Sequence, residues 1–237
     1  METKYGADPE FVVRNNHGTI ISAKTFFSGT SAIIGTDGNN FVGEMRPRPN
    51  SDVRLVIADI YNILKIVAKN PHLENHELLA GNYKTCPIGG HIHIDIDTSD
   101  RSRCGDLLGR LDKVLHKIVQ PILEDSYEKR ERESSTYGKA GDFNTTNWGI
   151  EYRTCGSWLL SPEIALIYLG FAKMCNLAIE FDLPSYGNAE KCLSVMIEHR
   201  DIFLIDVNCA IGLFEQIVEN NLIIDWDIDI LKCWRVK

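Results

Sequence analysis

From Gly89 to Asp97 the chain alternates with a period of two, placing His91, His93, Asp95 and Asp97 on one side and Ile92, Ile94 and Ile96 on the other. That period belongs to a β-strand, with the isoleucines set for a core and the imidazoles and carboxylates for the opposite face. Gly89 and Gly90, just ahead, leave room for another backbone or a phosphate to approach closely. Residues 1–50 are patterned in a related way. Phe11-Val12-Val13 and Thr19-Ile20-Ile21 flank Asn15-Asn16-His17-Gly18, which predicts a hairpin, and Glu10 sits where the first apolar run begins. After the turn residues 37–40, Val42, Glu44 and Arg46 share one face of a predicted strand and Phe41, Gly43 and Met45 the other, until Pro47 and Pro49 end it.

The period then changes to that of a helix. Ser51 reads as an N-cap with Asp52 in the first turn, and Leu55, Val56, Ile60, Ile63, Leu64 and Val67 give residues 52–69 a core-facing stripe. A loop with one helical turn near 74–79 leads to the histidine strand, near 88–97. A second helix is predicted over 104–127, striped by Leu107, Leu108, Leu111, Val114, Leu115, Ile118, Val119 and Ile122. Pro121 should kink it, and His116 reads as a packing or surface histidine. The mixed charges of residues 128–135 predict a solvated helix end or loop, followed by the glycine-punctuated stretch 137–143, which carries Lys139. A short strand over 149–154 points Glu151 and Arg153 the same way. Ser161-Pro162-Glu163 opens a helix running to about Ala178, further helices follow near 188–200 and 208–220, and residues 223–234 alternate like an edge strand or docking tail.

At 237 residues, with 44% hydrophobic positions, the chain has enough apolar material for one substantial core. Residues 1–237 read as a single domain whose part 162–237 is mostly helical. The net charge of −8 argues against a nucleic-acid partner, although a local basic pocket for a nucleotide triphosphate remains compatible with it. The polar N-terminus has no secretory h-region, and the apolar run 164–171 is too short to span a bilayer. Seven scattered cysteines without CxxC spacing predict reduced thiols in a cytoplasmic protein rather than a zinc site.

Four strand segments thus carry chemistry on one face: Asp8 with Glu10, Glu44 with Arg46, His91 with His93, and Glu151 with Arg153. A curved sheet backed by helices, an α+β fold, would gather them on its concave side. Carboxylates with an occasional imidazole suit Mg²⁺ or Mn²⁺ better than zinc, and nearby arginines suit phosphate or carboxylate oxygens. Together they point to metal-assisted phosphoryl chemistry from ATP. Two other classes remain: a metal-dependent hydrolase built on the His-x-His strand, and a non-catalytic binding or scaffold protein. The first needs further histidines, for which only His116 and His199 remain downstream.

The ordered set Gly6-Ala7-Asp8-Pro9-Glu10-Phe11, Glu44 followed by Pro47, Gly89-Gly90-His91-Ile92-His93, Tyr137-Gly138-Lys139-Ala140-Gly141-Asp142-Phe143 and Gly149-Ile150-Glu151-Tyr152-Arg153 resembles the phage-encoded carboxylate–amine ligases of the glutamine-synthetase-like superfamily. The resemblance spans roughly residues 5–165. It implies a mainly antiparallel glutamine-synthetase-like half-barrel with helices packed on its outer face, and ATP-dependent amide formation through an acyl phosphate, with divalent ions. By position it implies Glu10, Glu44, His91 and Glu151 as metal ligands. It implies Arg153 at the substrate carboxylate or transferring phosphoryl group, His93 at substrate or nucleotide, and Lys139 near the phosphates, where Arg46 also offers a cation. The partners so implied are a small-molecule or peptide carboxylate and an amine, in the cytoplasm of a host if the chain is phage-encoded. No membrane is implied, and the open edges of a half-barrel leave room for a homo-oligomer. One departure stands out: after residues 141–143 the family usually has arginine, and this chain has Asn144. Losing such a cation removes a contact of about 2–4 kcal/mol in a transition state: either Arg46, Arg48 or Lys139 replaces it, or the chain uses a different substrate, or it is a weakened enzyme.

Overall fold

A computed structural model describes residues 2–27, 33–36, 38, 40–81, 86–124 and 138–236. The charged run 128–135 and Tyr137 lie outside the described residues. The architecture is α+β: an open, antiparallel eight-stranded sheet with helices on one face. The strands are β1 (Tyr5–Asn15), β2 (Ile20–Ile21), β3 (Ile34–Thr36), β4 (Val42–Met45), β5 (His76–Leu79), β6 (Gly90–Asp95), β7 (Phe143–Thr146) and β8 (Gly149–Tyr152). Their order is β3-β4-β1-β6-β8-β7, with β2 and β5 also pairing with β1.

β1 organises the sheet because its 11 residues serve several partners along their length. Tyr5 to Pro9 pair with β6, Glu10 to Val12 with β4, and Val12 to Asn15 with β5. Alternation then separates two faces. Tyr5, Ala7, Phe11 and Val13 of β1, Met45 of β4, Ile92 and Ile94 of β6, and Ile150 and Tyr152 of β8 enter the main core with the helices. Asp8, Glu10, Glu44, His91, His93 and Glu151 occupy the alternate positions, on the other face.

The helices are α1 (Val53–Val67), α2 (Arg101–Leu111), α3 (Gln120–Leu123), α4 (Pro162–Glu180), α5 (Ala189–Glu198), α6 (Ile205–Glu219) and α7 (Ile230–Cys233). α1 is capped by Asp52, not Ser51: the Asp52 carboxylate accepts the Arg54 N–H while Ser51 supplies its carbonyl to Lys173. Val53 joins the buried stripe of α1, and Leu55, expected on it, is exposed. The expected kink at Pro121 is spread over a run of wide π-type turns, Asp112–Val119, which joins α2 to α3. Proline offers no N–H to the preceding turn and its ring crowds the carbonyl four residues back, so a widened turn relieves both problems. The extra residue per turn rotates the stripe, burying Leu123 and exposing Ile122. The segment near 74–79 is not a helical turn. Pro71–Leu73 is a short 3₁₀ turn, and His76–Leu79 pairs with β1 because Leu78 and Leu79 find buried places there. The tail is a docked short helix rather than an edge strand. Asp229 caps α7 and also accepts the Leu78 N–H, while the Trp234 indole donates to the Leu159 carbonyl.

α4 is 19 residues long and apolar enough in length and composition to cross a bilayer, which corrects the shorter apolar run read from sequence. Most of it is buried in the protein, so it is apolar on nearly every side because neighbours surround it. Within it, Lys173 is almost wholly buried. Its Nζ lies 2.8 Å from Asp206 Oδ2 and donates to the Ser51 carbonyl at 2.7 Å. Asp206 also accepts the Val53 and Val207 N–H groups. One buried ion pair thereby joins the starts of α1 and α6 to the middle of α4. Removing one partner of such a pair leaves an uncompensated buried charge. K173M is expected to lower unfolding stability in urea by ~3–5 kcal/mol, with the double variant K173M/D206N, which removes the orphaned charge and keeps an acceptor for a backbone N–H, recovering part of the loss.

Candidate active site

The acidic face runs across β4, β1, β6 and β8, which are neighbours in the sheet. Register does the gathering. Glu10 stands opposite Glu44, Asp8 opposite His91, and Glu151 opposite both His93 and Asn144. All four strand segments singled out in sequence therefore lie side by side on one face of the sheet, from positions more than a hundred residues apart.

At the β8 end the contacts are dense. Glu151 Oε1 accepts from His91 Nδ1 at 3.0 Å and from Arg153 Nη1 at 2.7 Å, and Oε2 accepts from Asn144 Nδ2 at 3.1 Å. Burial alone would push the Glu151 carboxyl up. The hydrogen bond and charge of His91, followed by Arg153 and Asn144, outweigh it and hold the group at about 2. His93 Nε2 lies 2.6 Å from Asp8 Oδ2. Burial opposes charge on that ring too, but Asp8, then Glu151 and Glu44, raise its pKa above the usual histidine value. One ligand atom from each of Asp8, His93 and Glu151 falls within 4.8 Å of the others, the group among the described residues spaced to share a cation.

At the β4 end, Glu10 and Glu44 are 2% and 5% exposed. Glu10 Oε2 accepts the Gly89 N–H at 2.5 Å, and Arg46 Nε lies 2.7 Å from Glu44 Oε1. Gly90 meets Trp158 rather than a phosphate: a Cβ there would fall 2.4 Å from the indole, which donates to the Gly90 carbonyl. Arg48 does not replace the missing family arginine, because it is exposed and bonded to Asp59. Lys139 is exposed, in a turn closed by the Asp142 N–H on its carbonyl. That turn abuts the site through the Arg153 N–H to the Asp142 carbonyl. Of the four polar residues on the histidine strand, Asp97 leaves the face. Strand β6 stops at Asp95, and the Asp97 carboxylate accepts from the Ser99 N–H and hydroxyl in the next turn.

Two contributors were not visible as site residues in sequence. Asp112, in the wide-turned helix, accepts the Gly141 N–H at 2.9 Å and the Tyr152 hydroxyl at 2.8 Å, tying the Lys139 loop and β8 to the helical layer. Trp148, in the β7–β8 turn, lies against His93. His116 and His199, the downstream histidines a hydrolase site would draw on, are on or at the ends of helices and are not in the group of Asp8, His93 and Glu151.

The Glu151 carboxyl gives the unliganded protein a pH dependence with a definite sign. Its folded value, about 2, lies below the ordinary 4.5, so its contribution is complete above 4.5 and lost as pH falls toward 2. In thermal melts with chelator present, wild-type stability should fall through that window, and E151Q should show a shallower fall.

The chain matches the family model described as phage phiEco32-like COOH.NH2 ligase-type 2 over residues 5–182. No curated protein matches it. Among solved structures it is similar in fold to a bifunctional glutathione synthetase from Pasteurella multocida, with 10% identity, a TM-score of 0.56, and 98% of this chain covering 48% of that one. It is also similar to GmaS without ligand, at 11% identity and a TM-score of 0.50, with 96% and 71% of the two chains covered. The chain thus spans about half the length of that glutathione synthetase. The matched segment includes every strand of the sheet and each acid, imidazole and guanidinium group on its polar face, and the chain belongs to the phage phiEco32-like COOH.NH2 ligase-type 2 family.

Proposed function

We propose that this chain is an ATP-dependent carboxylate–amine ligase that forms an amide through an acyl phosphate. The observation that supports it is the partly buried row of carboxylates, imidazoles and guanidinium groups across four neighbouring strands, in a chain of this family. A carboxylate resists attack by an amine because its oxygen leaves poorly. Transfer of the γ-phosphoryl group joins phosphorus to a carboxylate oxygen and releases ADP. The amine nitrogen then bonds to the carbonyl carbon, phosphate departs, and one proton passes to a base.

The donor set fits Mg²⁺ or Mn²⁺. Glu10, Glu44 and Glu151 offer hard oxygens and His91 one imidazole, and the structure adds Asp8 and His93, within ligand distance of Glu151. Those residues would hold the ions, which supply charge neutralisation for phosphate oxygens. Arg153, anchored on Glu151, orients the acceptor carboxylate, and Arg46, anchored on Glu44, faces the phosphates with Lys139 at the rim. Asn144 replaces a cation by a neutral donor to Glu151, which leaves Arg153 as the guanidinium on that carboxylate. The seven cysteines are free thiols, in keeping with a cytoplasmic site of action.

The test is ADP release from Mg-ATP across panels of carboxylates and amines, including amino acids and short peptides. Release should require one of each. E151A and H91A should lower it by roughly 10²–10³-fold, the usual cost of deleting one charge-stabilising contact, with wild-type folding by circular dichroism. Full activity in both variants would remove these residues from the mechanism. Absence of nucleotide binding by calorimetry at millimolar Mg-ATP would favour the binding or scaffold reading.

A further inference from the structure

Trp148 sits where nothing in the chemistry above requires an aromatic residue. It occupies the two-residue turn between β7 and β8, is 36% exposed, and lays its indole against the His93 imidazole with centroids 5.7 Å apart and planes 12° from parallel. That is an offset stack, within the range aromatic rings prefer.

Two glycines make the placement possible. A Cβ on Gly6, which pairs with His93 across β1 and β6, would lie 3.2 Å from the indole and 3.3 Å from both His93 Cβ and Pro49 Cγ. A Cβ on Gly149 would lie 2.0 Å from the Ile94 carbonyl oxygen, so only glycine lets β8 and its turn lie this close to β6. Gly6 thus leaves the floor open for the indole, and Gly149 brings the turn down over His93. The turn is fastened by the Thr146 hydroxyl, which donates to the Gly149 carbonyl at 3.1 Å.

The His93 ring needs such a constraint. Rotation about the bond from Cβ to the ring has a broad, shallow profile, and one hydrogen bond to Asp8 fixes the direction of Nε2 but not the tilt of the ring plane. A flat surface parallel to the ring fixes the tilt.

We propose that Trp148 is a positioning residue for His93: the stacked indole holds the imidazole plane so that Nε2 stays on Asp8 and the ring faces Glu151. The consequence for metal affinity rests on the site reading above; the orientation itself does not. Leucine at 148 keeps apolar bulk without a flat face, and phenylalanine keeps the face.

The test is imidazole ¹H–¹⁵N spectroscopy on the full chain at fixed pH, with the His93 Nε2 proton assigned by its loss in H93Q. Wild type and W148F should show a hydrogen-bonded proton protected from solvent exchange. In W148L and W148A exchange should quicken at least tenfold, with circular dichroism unchanged. If W148A fails to fold, W148L against W148F decides the matter. Exchange in W148L within twofold of wild type would overturn the proposal, because bulk alone would then suffice. A parallel Mn²⁺ titration should show roughly tenfold weaker binding in W148L than in W148F. Wild type failing to bind Mn²⁺ would refute the metal reading, while the exchange comparison still decides the role of Trp148.

Discussion

Glu10 and Glu44 face each other across adjacent strands, both almost wholly buried. Like charges in register destabilise a sheet, and buried ones more so. Most of the polar face can be understood as the answer to that constraint. Arg46 lies on Glu44, and the Gly89 N–H on Glu10. One strand further along, imidazoles alternate with the carboxylates, and beyond them Arg153 holds Glu151. A face built this way sets each carboxylate beside a guanidinium, an imidazole or a backbone N–H, so that its like charges are separated by donors.

Holding such a face in register demands a rigid back. The other side of the same strands contributes Tyr5, Phe11, Met45, Ile92, Ile94, Ile150 and Tyr152 to a core shared with the helices. Several polar groups that enter that layer are paired. Lys173 meets Asp206 and the Ser51 carbonyl, Asn176 donates to the Tyr5 hydroxyl, and Asp112 receives both Gly141 and Tyr152. The Asp112 contact bears directly on the site, since the loop it fixes is continuous with β7 and hydrogen-bonded to Arg153.

The alternation of residues 89–97 and the acid-bearing strand segments were legible in sequence because period-two patterning survives wherever one face is buried and the other is not. The start of α4 at Ser161-Pro162 was legible for a local reason as well, its cap and first-turn chemistry. What was not legible depended on distant partners. Residues 76–79 look helical until β1 offers them a ladder, and the tail alternates like a strand until Asp229 finds the Leu78 N–H. Pro121 announced a disturbance, but wide turns rather than a kink follow from packing along the whole run. The bond between Asp8 and His93 is set by a register between strands some eighty residues apart, and no local pattern carries that number. Asn144 was visible as a departure; that it lies opposite Glu151 was not.

The long first strand has a consequence for how the chain is made. β1 leaves the ribosome ahead of all the strands it pairs with, and at 5–20 residues per second its partner β6 follows several seconds later. The short β2 hairpin, then β4 and β5, come within reach first and pair with residues 10–15, while residues 5–9 wait unpaired for β6. Such distant pairing slows folding and leaves an adhesive edge. Pro9, Asp8 and Glu10 interrupt that edge with a missing donor and two charges. The residues that give the strand its polar face thus also guard the nascent chain against sticking to its neighbours.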